Sequence, residues 1–326
     1  MRQAFITGAN GFLGLNLVEQ LCADGWSVLG LCQPGTSRAY LGRFPVDVVE
    51  GDITDEAALE VVMPECIEAV FHTAAMTSLW SRRNDLQTKV NVEGTGNVAR
   101  VALAKGAKRF IHTSTWNTYG TGQAAISEDT PQAGGRSWVN YVRTKFLAEE
   151  EVRKAAQDGL FAVILNPGHL IGRYDRQNWA RMIRMVHEGT LPGVPRARGS
   201  FCHAETVARA HITAADHGRS GENYLLPGAE ATFREVIDMI GELTKETVPS
   251  RTLPTWLLKI IARTKVWRAL LSDDEPDLTP EGVELMFNDP KIASDKARRE
   301  LGYETPPLRV ILEDACGWMK AEGLLC

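Results

Sequence analysis

Tyr141 and Lys145 are two side chains whose types and spacing could carry out proton transfer. The segment that holds them continues with Phe146, Leu147 and Val152 and is typical of a helix, in which residues four apart share one face. A lysine ammonium beside a phenol favours the phenolate and lowers a pKa that is about 10 in an unperturbed tyrosine. We therefore predict that Tyr141 exchanges a proton with a bound molecule near neutral pH.

A hydroxyl group is placed to assist this phenol. Ser114 and Thr115 directly follow a strand predicted at residues 109–113, and either hydroxyl could hydrogen-bond the oxygen that exchanges the proton. Removing a hydride from a carbinol carbon requires the hydroxyl proton to leave as well, so these groups complement hydride transfer. The Tyr-x-x-x-Lys spacing is weak alone, but its order after a glycine turn and a strand-end hydroxyl makes the signal strong.

The glycine turn lies at the start of the chain, in Thr7-Gly8-Ala9-Asn10-Gly11-Phe12-Leu13-Gly14. It joins a short apolar run, residues 4–6, to a segment with apolar residues on one helical face. A strand that turns through glycines into a helix N-terminus presents free N–H groups and the positive end of the helix dipole to an anion. The turn therefore predicts a site for a dinucleotide pyrophosphate.

Strands and helices alternate through the first half of the chain. Further strands are predicted at 27–32, 46–50, 69–72, 109–113 and 161–165. This alternation predicts an α/β fold with a Rossmann-like, doubly wound parallel sheet and ligands at the C-terminal strand edge. We expect a dinucleotide-binding domain over 1–165, to which 200–226 returns. A smaller, mostly helical substrate lobe is expected over 166–199 and 227–326.

The end of the second strand bears on the choice of cofactor. An acidic residue there accepts hydrogen bonds from the ribose 2′-hydroxyl of NAD, but this chain has Cys32-Gln33. Arg38, five residues further on, could pair with the 2′-phosphate of NADP, although it could equally be a solvated loop charge. We predict NADP, with NAD as the alternative.

At this point the chain resembles the extended short-chain dehydrogenase/reductase family, also described as the NAD-dependent epimerase/dehydratase family. The resemblance covers nearly the whole chain. The residues that carry it are Thr7 to Gly14, Asp52-Ile53, His72 to Ala75, Asn91 to Thr95, Thr113 to Thr115 with Tyr119-Gly120, Tyr141 to Lys145, and Asn166 to Gly168.

The resemblance implies a role for individual residues. Tyr141 would be the acid/base, Lys145 would hold the nicotinamide ribose, and the catalytic hydroxyl would be that of Thr115. Asp52 and Ile53 would flank the adenine, and residues 166–169 would line the nicotinamide. The candidate cofactor-binding residues are Gly8, Asn10, Gly11, Phe12, Leu13, Gly14, Arg38, Asp52, Ile53, Thr73, Ala74, Ala75, Asn91, Thr113, Tyr141, Lys145, Asn166, Pro167, Gly168 and His169.

The substrate side of the site is less sharply marked. Aromatic walls suit an apolar or ring substrate, although tryptophans there could equally serve to pack the two lobes together. A lone histidine such as His203 more often satisfies local backbone groups than binds substrate. The candidate substrate residues are Thr77, Trp80, Trp116, Asn117, Trp179 and His203, with Trp138 also near the expected pocket.

The C-terminal part resembles the dihydroflavonol-reductase-like and sterol-dehydrogenase-like branch of the family. The matching segments are 278–281, the motif that begins at Ser294, and 300–303. The family commonly has Asp where this chain has Thr206, which leaves any carboxylate contact there in doubt. A helix beginning near Trp256 combines an apolar face with basic residues. We expect lobe core or a lid there, with a membrane-surface helix as the alternative.

Composition excludes several other classes. The net charge of −5 gives no basic footprint for nucleic acid, and every window of about 18 residues carries charges, so no membrane span is expected. We expect a cytoplasmic protein, no metal site, and a homodimer through residues 88–105 and 140–156 on family resemblance. Reduced thiols are expected at Cys22, Cys32, Cys66, Cys202, Cys316 and Cys326.

The sequence therefore predicts an NADP(H)-dependent oxidoreductase that interconverts a ketone and a secondary alcohol on a small or medium, fairly apolar substrate. One alternative is a nucleotide-sugar epimerase or dehydratase with a recycled cofactor. Trp116-Asn117 stand after Thr115 where a dehydratase usually carries Asp-Glu, which disfavours that activity. The second alternative is a non-catalytic NADP-binding regulator, which Thr115, Tyr141 and Lys145 disfavour.

Overall fold

The strands come first, because they position the site. In this computed structural model, residues 2–272, 274–293 and 295–325 are described. The strands are β1 (Gln3–Thr7), β2 (Ser27–Cys32), β3 (Val46–Glu50), β4 (Ala69–His72), β5 (Phe110–Thr113), β6 (Ala125–Ile126), β7 (Ala162–Pro167), β8 (His169–Ile171), β9 (Val194–Pro195), β10 (Arg198–His203), β11 (Asn223–Leu226), β12 (Ala229–Thr232), β13 (Thr252–Leu253) and β14 (Lys291–Ile292).

The helices connect these strands or follow them. They are α1 (Phe12–Ala23), α2 (Glu56–Val62), α3 (Asn84–Thr88), α4 (Gly94–Ala104), α5 (Asn140–Gln157), α6 (Trp179–His187), α7 (Ala204–His217), α8 (Phe233–Thr244), α9 (Thr255–Ser272), α10 (Pro280–Met286), α11 (Asp295–Leu301) and α12 (Leu308–Ala321). A π-helical turn, Lys89–Glu93, joins α3 to α4.

The main sheet has seven strands in the order β11-β7-β5-β4-β1-β2-β3. Every pairing in it is parallel. The chain starts in the middle at β1, winds outwards through β2 and β3, then returns to β4 and continues in the other direction. This order confirms the predicted doubly wound sheet, whose ligands bind where the strand order reverses.

Helices cover both faces of this sheet because its strands are apolar on both sides. On β1, Ile6 faces a core formed with α1 and α7, whereas Phe5 faces a core formed with α2, α4 and α5. Successive side chains of a strand point to opposite faces, which places the two neighbours in different cores. The sheet is therefore buried, and its C-terminal edge is the place where a ligand can approach.

A further hydrophobic core lies outside the main sheet. It is formed by α6, α8 and α12 around residues such as Ile183, Ile237 and Ile311. Thr232 begins α8 with a capping box, in which its hydroxyl accepts from the Glu235 N–H while the Glu235 carboxylate accepts from Thr232. These two hydrogen bonds fix the start of α8.

Two further features of the chain bear on its chemistry. In the described part of the chain, the cysteines are free thiols: Cys22, Cys32, Cys66, Cys202 and Cys316. Cys326, and Ser294 of the C-terminal motif, lie outside the described residues. Among those residues, no helix has both the length and the apolarity needed to cross a bilayer.

Candidate active site

The glycine turn between β1 and α1 has the geometry that an anion site requires. Gly8 has φ +71°, and a Cβ there would come within 2.9 Å of the Ala74 backbone. A Cβ on Gly14 would lie 2.1 Å from the Gly8 carbonyl oxygen. No side chain caps the N-terminus of α1 at Gly11. The turn is thus closed to larger residues and open to a ligand, which fits a dinucleotide pyrophosphate.

The loop after β2 is tied to this turn. The Asn10 amide donates to the Thr36 hydroxyl at 2.8 Å and to the Ser37 carbonyl at 3.1 Å. Arg38 forms an ion pair with Glu50, whose backbone pairs with Cys32 in the sheet. Glu50 therefore places a carboxylate beside the end of β2, where Gln33 has no acidic group for a ribose hydroxyl. Sequence reasoning missed it because the two strands are adjacent only in the folded sheet.

Asp52 and Ile53 are held at the end of β3. One Asp52 oxygen accepts from the Thr54 N–H and hydroxyl, both at 2.9 Å. The Ile53 side chain packs so closely on α4 that a Cβ on Gly94 would come within 2.7 Å of it. The Asn97 amide also donates to the Ile53 carbonyl at 3.0 Å. Both residues therefore have fixed positions at the edge of the sheet.

The loop after β4 is fixed by Thr73 and Asn91. The Thr73 hydroxyl donates to the Thr7 carbonyl at 2.8 Å, which holds Ala74 and Ala75 close to the glycine turn. Asn91, buried in the π-helical turn, accepts from the Met76 N–H at 2.7 Å and donates to its carbonyl at 3.0 Å. Its amide also donates to the Thr144 hydroxyl of α5 at 3.1 Å. Asn91 thus joins this loop to the helix that carries Tyr141.

The structure brings Thr115, Tyr141 and Lys145 together at the C-terminal edge of the sheet. Thr115 follows β5, and its hydroxyl accepts from the Asn117 amide at 3.2 Å. The Thr115 side chain lies close enough to the Tyr141 phenol to lower the pKa of that phenol. Lys145 lies one turn further along α5, and its ammonium donates to the Thr113 carbonyl at 2.6 Å. The phenol, the strand-end hydroxyl and the ammonium therefore occupy one site.

The protonation of Tyr141 differs from the sequence prediction. Burial raises its pKa to about 12, and the Thr115 side chain offsets only part of that shift. Burial also lowers the pKa of Lys145 to about 8, while the Glu149 carboxylate acts to raise it. The prediction that Lys145 lowers the tyrosine pKa is wrong for the chain alone, because burial disfavours the charged phenolate and has the largest effect on this pKa. Tyr141 is accordingly a protonated phenol at neutral pH.

Behind these groups lies a fully buried carboxylate, Glu149. Its Oε1 accepts from the Ser114 hydroxyl and from Asn166 Nδ2, the latter at 2.8 Å. Its Oε2 accepts from three donors at 2.7–2.9 Å, namely Gln132 Nε2, Arg153 Nη2 and Asn223 Nδ2. Sequence reasoning missed Glu149, although its position four residues after Lys145 puts it on the same helix face.

Asn166 belongs to this buried network. Its amide donates to the Thr115 carbonyl at 3.0 Å as well as to Glu149, and its oxygen accepts from Asn223 at 2.8 Å. The side chain is fully buried and engaged with protein groups, so it fixes the Thr115 loop. The expectation that the segment lines a nicotinamide therefore concerns its backbone, with Pro167, Gly168 and His169, and not the Asn166 side chain.

The loop that contains Thr77 and Trp80 is held beside Tyr141. The Gln87 amide donates to the Ser78 carbonyl at 2.6 Å and accepts from Asn140 at 3.0 Å. Thr77 is exposed, whereas Trp80 is buried. Because Asn140 directly precedes Tyr141 in α5, this loop lies next to the phenol.

The other candidate aromatic walls are placed differently from the prediction. Trp116 is buried in a small core with Tyr119 and Leu225, and Trp179 packs edge-to-face on Phe201 with the ring centroids 5.0 Å apart. Both rings pack the interior, which is the alternative that the sequence left open. Trp138 is 56% exposed. Asn117, in contrast, contacts the Thr115 hydroxyl directly.

His203 lies in an ion-pair cluster rather than alone. Its Nε2 is 3.1 Å from Asp314, and the Arg173 guanidinium donates to Asp314 Oδ1 at 2.8 Å. Glu205 completes a group of three residues whose ligand atoms lie within 4.8 Å of one another. Because Arg173 already supplies a positive charge to Asp314, electrostatics explain this cluster without a metal ion. Hydrogen bonding lowers the pKa of Asp314 to about 2 against the opposing effect of burial.

A residue from the C-terminal part reaches the catalytic loop. Asn288 Nδ2 donates at 3.2 Å to both Asn117 Oδ1 and the Gly120 carbonyl. Asn117 in turn donates to the Thr115 hydroxyl. Sequence reasoning missed Asn288, because nothing in the local sequence marks a contact across so many residues.

Together the doubly wound sheet, the open glycine turn and the Thr115–Tyr141–Lys145 group define an NAD(P)-dependent oxidoreductase of the short-chain dehydrogenase/reductase type. The family model described as NAD dependent epimerase/dehydratase family matches residues 4–226, and the chain belongs to that family. This confirms the resemblance to extended short-chain dehydrogenases/reductases that the sequence motifs carry.

Relatives match the chain over almost its whole length. It is 28% identical over 325 residues to Sterol demethylase protein B of Methylococcus capsulatus, covering 98% of this chain and 99% of that protein. It is 28% identical to a 4-hydroxy-2-methyl-3-oxo-4-farnesyl-3,4-dihydroquinoline-1-oxide ketoreductase of Stigmatella aurantiaca, covering 92% and 91%. The crystal structure of gox2253 superposes with a TM-score of 0.86 at 27% identity, covering 100% of both chains.

Proposed function

We propose that this chain is an NADP(H)-dependent oxidoreductase that interconverts a ketone and a secondary alcohol on a small to medium, fairly apolar substrate. The observation that carries the proposal is that the Thr115 side chain lies beside the Tyr141 phenol, with Lys145 one helical turn away. The similarity to a protein described as a ketoreductase supports the same reaction class.

The protonation state of the site favours reduction. With a pKa of about 12, Tyr141 carries its proton at neutral pH and can donate it to a carbonyl oxygen. The Thr115 hydroxyl would donate to the same oxygen and hold the carbonyl in place. In reduction, a bound nicotinamide would supply the hydride to the carbonyl carbon. In oxidation, the oxidised nicotinamide would accept the hydride, and its positive charge would favour the phenolate form of Tyr141. The proton and the hydride together convert the ketone into the alcohol.

Lys145 has two roles in this proposal. Its ammonium would donate to the ribose hydroxyls of the nicotinamide half, and it already holds the Thr113 carbonyl at the end of β5. With a pKa of about 8, it is mostly charged at neutral pH and loses its proton as the pH rises. Burial disfavours the charged ammonium, whereas the Glu149 carboxylate raises the pKa of Lys145. The buried carboxylate therefore helps to keep Lys145 protonated.

The side chains around the phenol support an apolar substrate. Tyr141 packs with Val139, Val142, Leu79 and Leu285 in one cluster. Apolar side chains beside a few placed polar groups are typical of small-molecule sites. This environment suits an apolar skeleton that carries one reactive oxygen and disfavours the many hydroxyls of a sugar.

We propose NADP as the preferred cofactor on the basis of Arg38. In the structure Arg38 pairs with Glu50, and both side chains are well exposed to solvent. An exposed ion pair contributes about 0–1 kcal/mol, so a 2′-phosphate could displace Glu50 as the partner of Arg38. If the preference is for NAD, Glu50 is the carboxylate that would accept from the ribose hydroxyls.

The organisation of the molecule also remains a proposal. We propose a dinucleotide-binding domain over 1–165 with 200–226, and a substrate lobe over 166–199 and 227–326. We further propose a cytoplasmic homodimer through α4 and α5, and exposed Leu86 and Leu147 on α3 and α5 are apolar surface that such an interface would bury. Sedimentation velocity of Leu147→Asp would show a monomer if this is correct.

The reaction is tested by mass balance. A panel of apolar ketones is mixed with the purified chain and NADPH, and the loss of the reduced nicotinamide absorbance is compared with the alcohol formed. We expect one alcohol per NADPH consumed. Inversion of a secondary alcohol at its carbinol carbon, without net change in NADPH, would indicate an epimerase. NADPH binding without turnover of any carbonyl would favour the non-catalytic regulator.

A further inference from the structure

Helix α9 has an apolar face that no described part of the chain covers. Of the nine large hydrophobic side chains that are well exposed among the described residues, four lie on this helix. They are Trp256 (64% exposed), Ile260 (50%), Trp267 (70%) and Leu270 (53%). Such a concentration on one element differs from the single exposed hydrophobic residues that are normal on a protein surface.

These four side chains form one stripe, which Arg263 interrupts between Ile260 and Trp267. At about 100° per residue, positions 256, 260, 267 and 270 fall within about 80° of one another around the helix axis. With a rise of about 1.5 Å per residue, the stripe extends for about 21 Å along the surface. We define it as the outer stripe, Trp256, Ile260, Trp267 and Leu270.

The opposite face of α9 attaches the helix to the molecule. Leu258, Ala262 and Ala269 are buried there, and the first two pack with Val283 of α10. The helix is therefore apolar on both sides, with one side used for packing. The sequence-based expectation that this helix belongs to the lobe core or to a lid explains the apolar residues of the inner face only.

The charges of α9 indicate what the outer stripe contacts. Residues 255–272 contain four cations, Lys259, Arg263, Lys265 and Arg268, and no acidic residue, although the whole chain has a net charge of −5. Lys265 is paired with Asp277 at 2.6 Å. Within the described residues, Lys259, Arg263 and Arg268 form no ion pair, and all three are exposed. The occupant of this face should therefore be anionic as well as apolar.

We propose that the outer stripe of α9 docks on the surface of an anionic lipid bilayer. Tryptophan is enriched at membrane interfaces, Ile260 and Leu270 would enter the acyl boundary, and the three free cations would meet lipid headgroups. A second copy of this chain fits less well. A two-fold contact through the stripe would bring the cations Lys259, Arg263 and Arg268 of one copy towards the same three cations of the other, and like charges repel.

The docking face is connected to the catalytic helix through one neighbour. α10 contacts α9 through Val283, and on its other side Leu285 packs with Val142 in the cluster that includes Tyr141. A bilayer at α9 would therefore lie two helices away from the phenol. If the substrate is as apolar as we propose, the same surface could be its source.

Vesicle sedimentation of the full chain tests the docking. Sucrose-loaded vesicles of phosphatidylcholine alone are compared with vesicles of roughly seven parts phosphatidylcholine to three parts phosphatidylserine, without cofactor or substrate. We expect binding to the anionic vesicles and much less to the neutral ones. The assay has no catalytic readout, so its failure would leave the proposed reaction untouched.

Three variants identify the surface. Trp256→Ser/Trp267→Ser should weaken binding to anionic vesicles at least about tenfold, since two aromatic anchors are lost. Lys259→Gln/Arg263→Gln/Arg268→Gln should weaken it about a hundredfold, at about 1 kcal/mol for each cation near the surface. The matched control is Val61→Ser, which removes an exposed apolar side chain from α2 and should bind as the unaltered chain does.

Several results would overturn the proposal. One is that the unaltered chain stays in the supernatant with anionic vesicles, and another is that the tryptophan variant binds as well as the Val61 control. A third is that sedimentation velocity shows the tryptophan substitutions converting a dimer into a monomer, because a second copy would then cover the stripe. Since all the replaced side chains are exposed, circular dichroism should show each variant folded, and the comparison remains valid.

Discussion

Replacing Glu149 by Gln removes one negative charge from a fully buried position, one helical turn beyond Lys145. The carboxylate accepts five hydrogen bonds, two at Oε1 and three at Oε2. One donor is the Arg153 guanidinium, so the variant also breaks a salt bridge in which the Glu149 side chain is fully buried. Gln has nearly the same shape as Glu, so the substitution tests the charge and the hydrogen bonds rather than packing.

The magnitude follows from the orientation that the new amide can adopt. Its oxygen can take the place of Oε2 and keep the three donors on that side, which turns its NH2 group towards Ser114 and Asn166. The Ser114 hydroxyl can rotate to accept, but Asn166 Nδ2 is a donor, so it loses its bond to residue 149 and keeps only the one to the Thr115 carbonyl. A lost hydrogen bond to a charged group costs about 1.5–3 kcal/mol, and breaking a buried ion pair costs about 3–5 kcal/mol. We expect the free energy of unfolding to fall by about 3 kcal/mol.

Equilibrium urea unfolding followed by circular dichroism measures this loss. The matched control is Glu150→Gln, the next residue along α5, whose carboxylate pairs with the same Arg153 but is 46% exposed. An exposed ion pair contributes about 0–1 kcal/mol, so the control should stay close to the unaltered chain. If the two variants lose the same stability, the buried network does not have the importance that we assign to it.

The same variant should change the pH dependence of catalysis. Glu149 raises the pKa of Lys145, which burial holds at about 8, so without the carboxylate this pKa falls further. Lys145 loses its proton as the pH rises through its pKa. The alkaline limb of kcat/KM should therefore move to lower pH in Glu149→Gln and stay in place in Glu150→Gln. An alkaline limb that does not move would refute the coupling of Glu149 to Lys145.

Two further predictions concern the cofactor and acid stability. Arg38→Ala should weaken NADPH binding about tenfold and leave NADH nearly unaffected, because only NADPH offers a phosphate to the guanidinium. Fluorescence titration measures both, and equal weakening would contradict the phosphate assignment. Burial lowers the pKa of His72 to about 3 and that of His211 to about 4, whereas an unfolded histidine titrates near about 6.5. Their contribution to stability is therefore complete above about pH 6.5 and is lost as the pH falls towards about 4, by about 1.4 kcal/mol per pH unit for each histidine. Burial also holds the pKa of His112 well below its usual range, and neither of its ring nitrogens has a hydrogen-bond partner among the described residues. His112→Leu should flatten the fall of the urea midpoint below pH 6.5 and raise the midpoint at pH 7; an unchanged slope would contradict this.

The elements that the sequence predicts correctly are those with local signals. The β1 turn into α1 is marked by glycines that no larger residue could replace. The parallel sheet follows from the alternation of apolar runs and helical segments. The face shared by Tyr141 and Lys145 follows from helix periodicity alone.

The features that the sequence does not predict depend on contacts between distant segments. Glu50 meets Arg38 because β2 and β3 are neighbours in the sheet, and Asn288 reaches Asn117 from the far end of the chain. The raised pKa of Tyr141 depends on burial, which one helix face cannot reveal. The exposed face of α9 also depends on contacts between distant segments. The sequence shows that both faces of this helix are apolar, but it does not show which face packs against the molecule.

The most direct test of the proposed chemistry is the turnover number of Tyr141→Phe, measured on a ketone from the panel beside the NADPH dissociation constant. The substitution removes the hydroxyl that lies beside Thr115 and leaves the ring in its apolar cluster. We expect kcat to fall by about a thousandfold or more, since proton transfer by a placed group contributes about 10²–10⁴-fold. NADPH affinity should change by less than about twofold, because the ring and Lys145 remain. A Tyr141→Phe variant that turns over like the unaltered enzyme would remove this phenol from the mechanism.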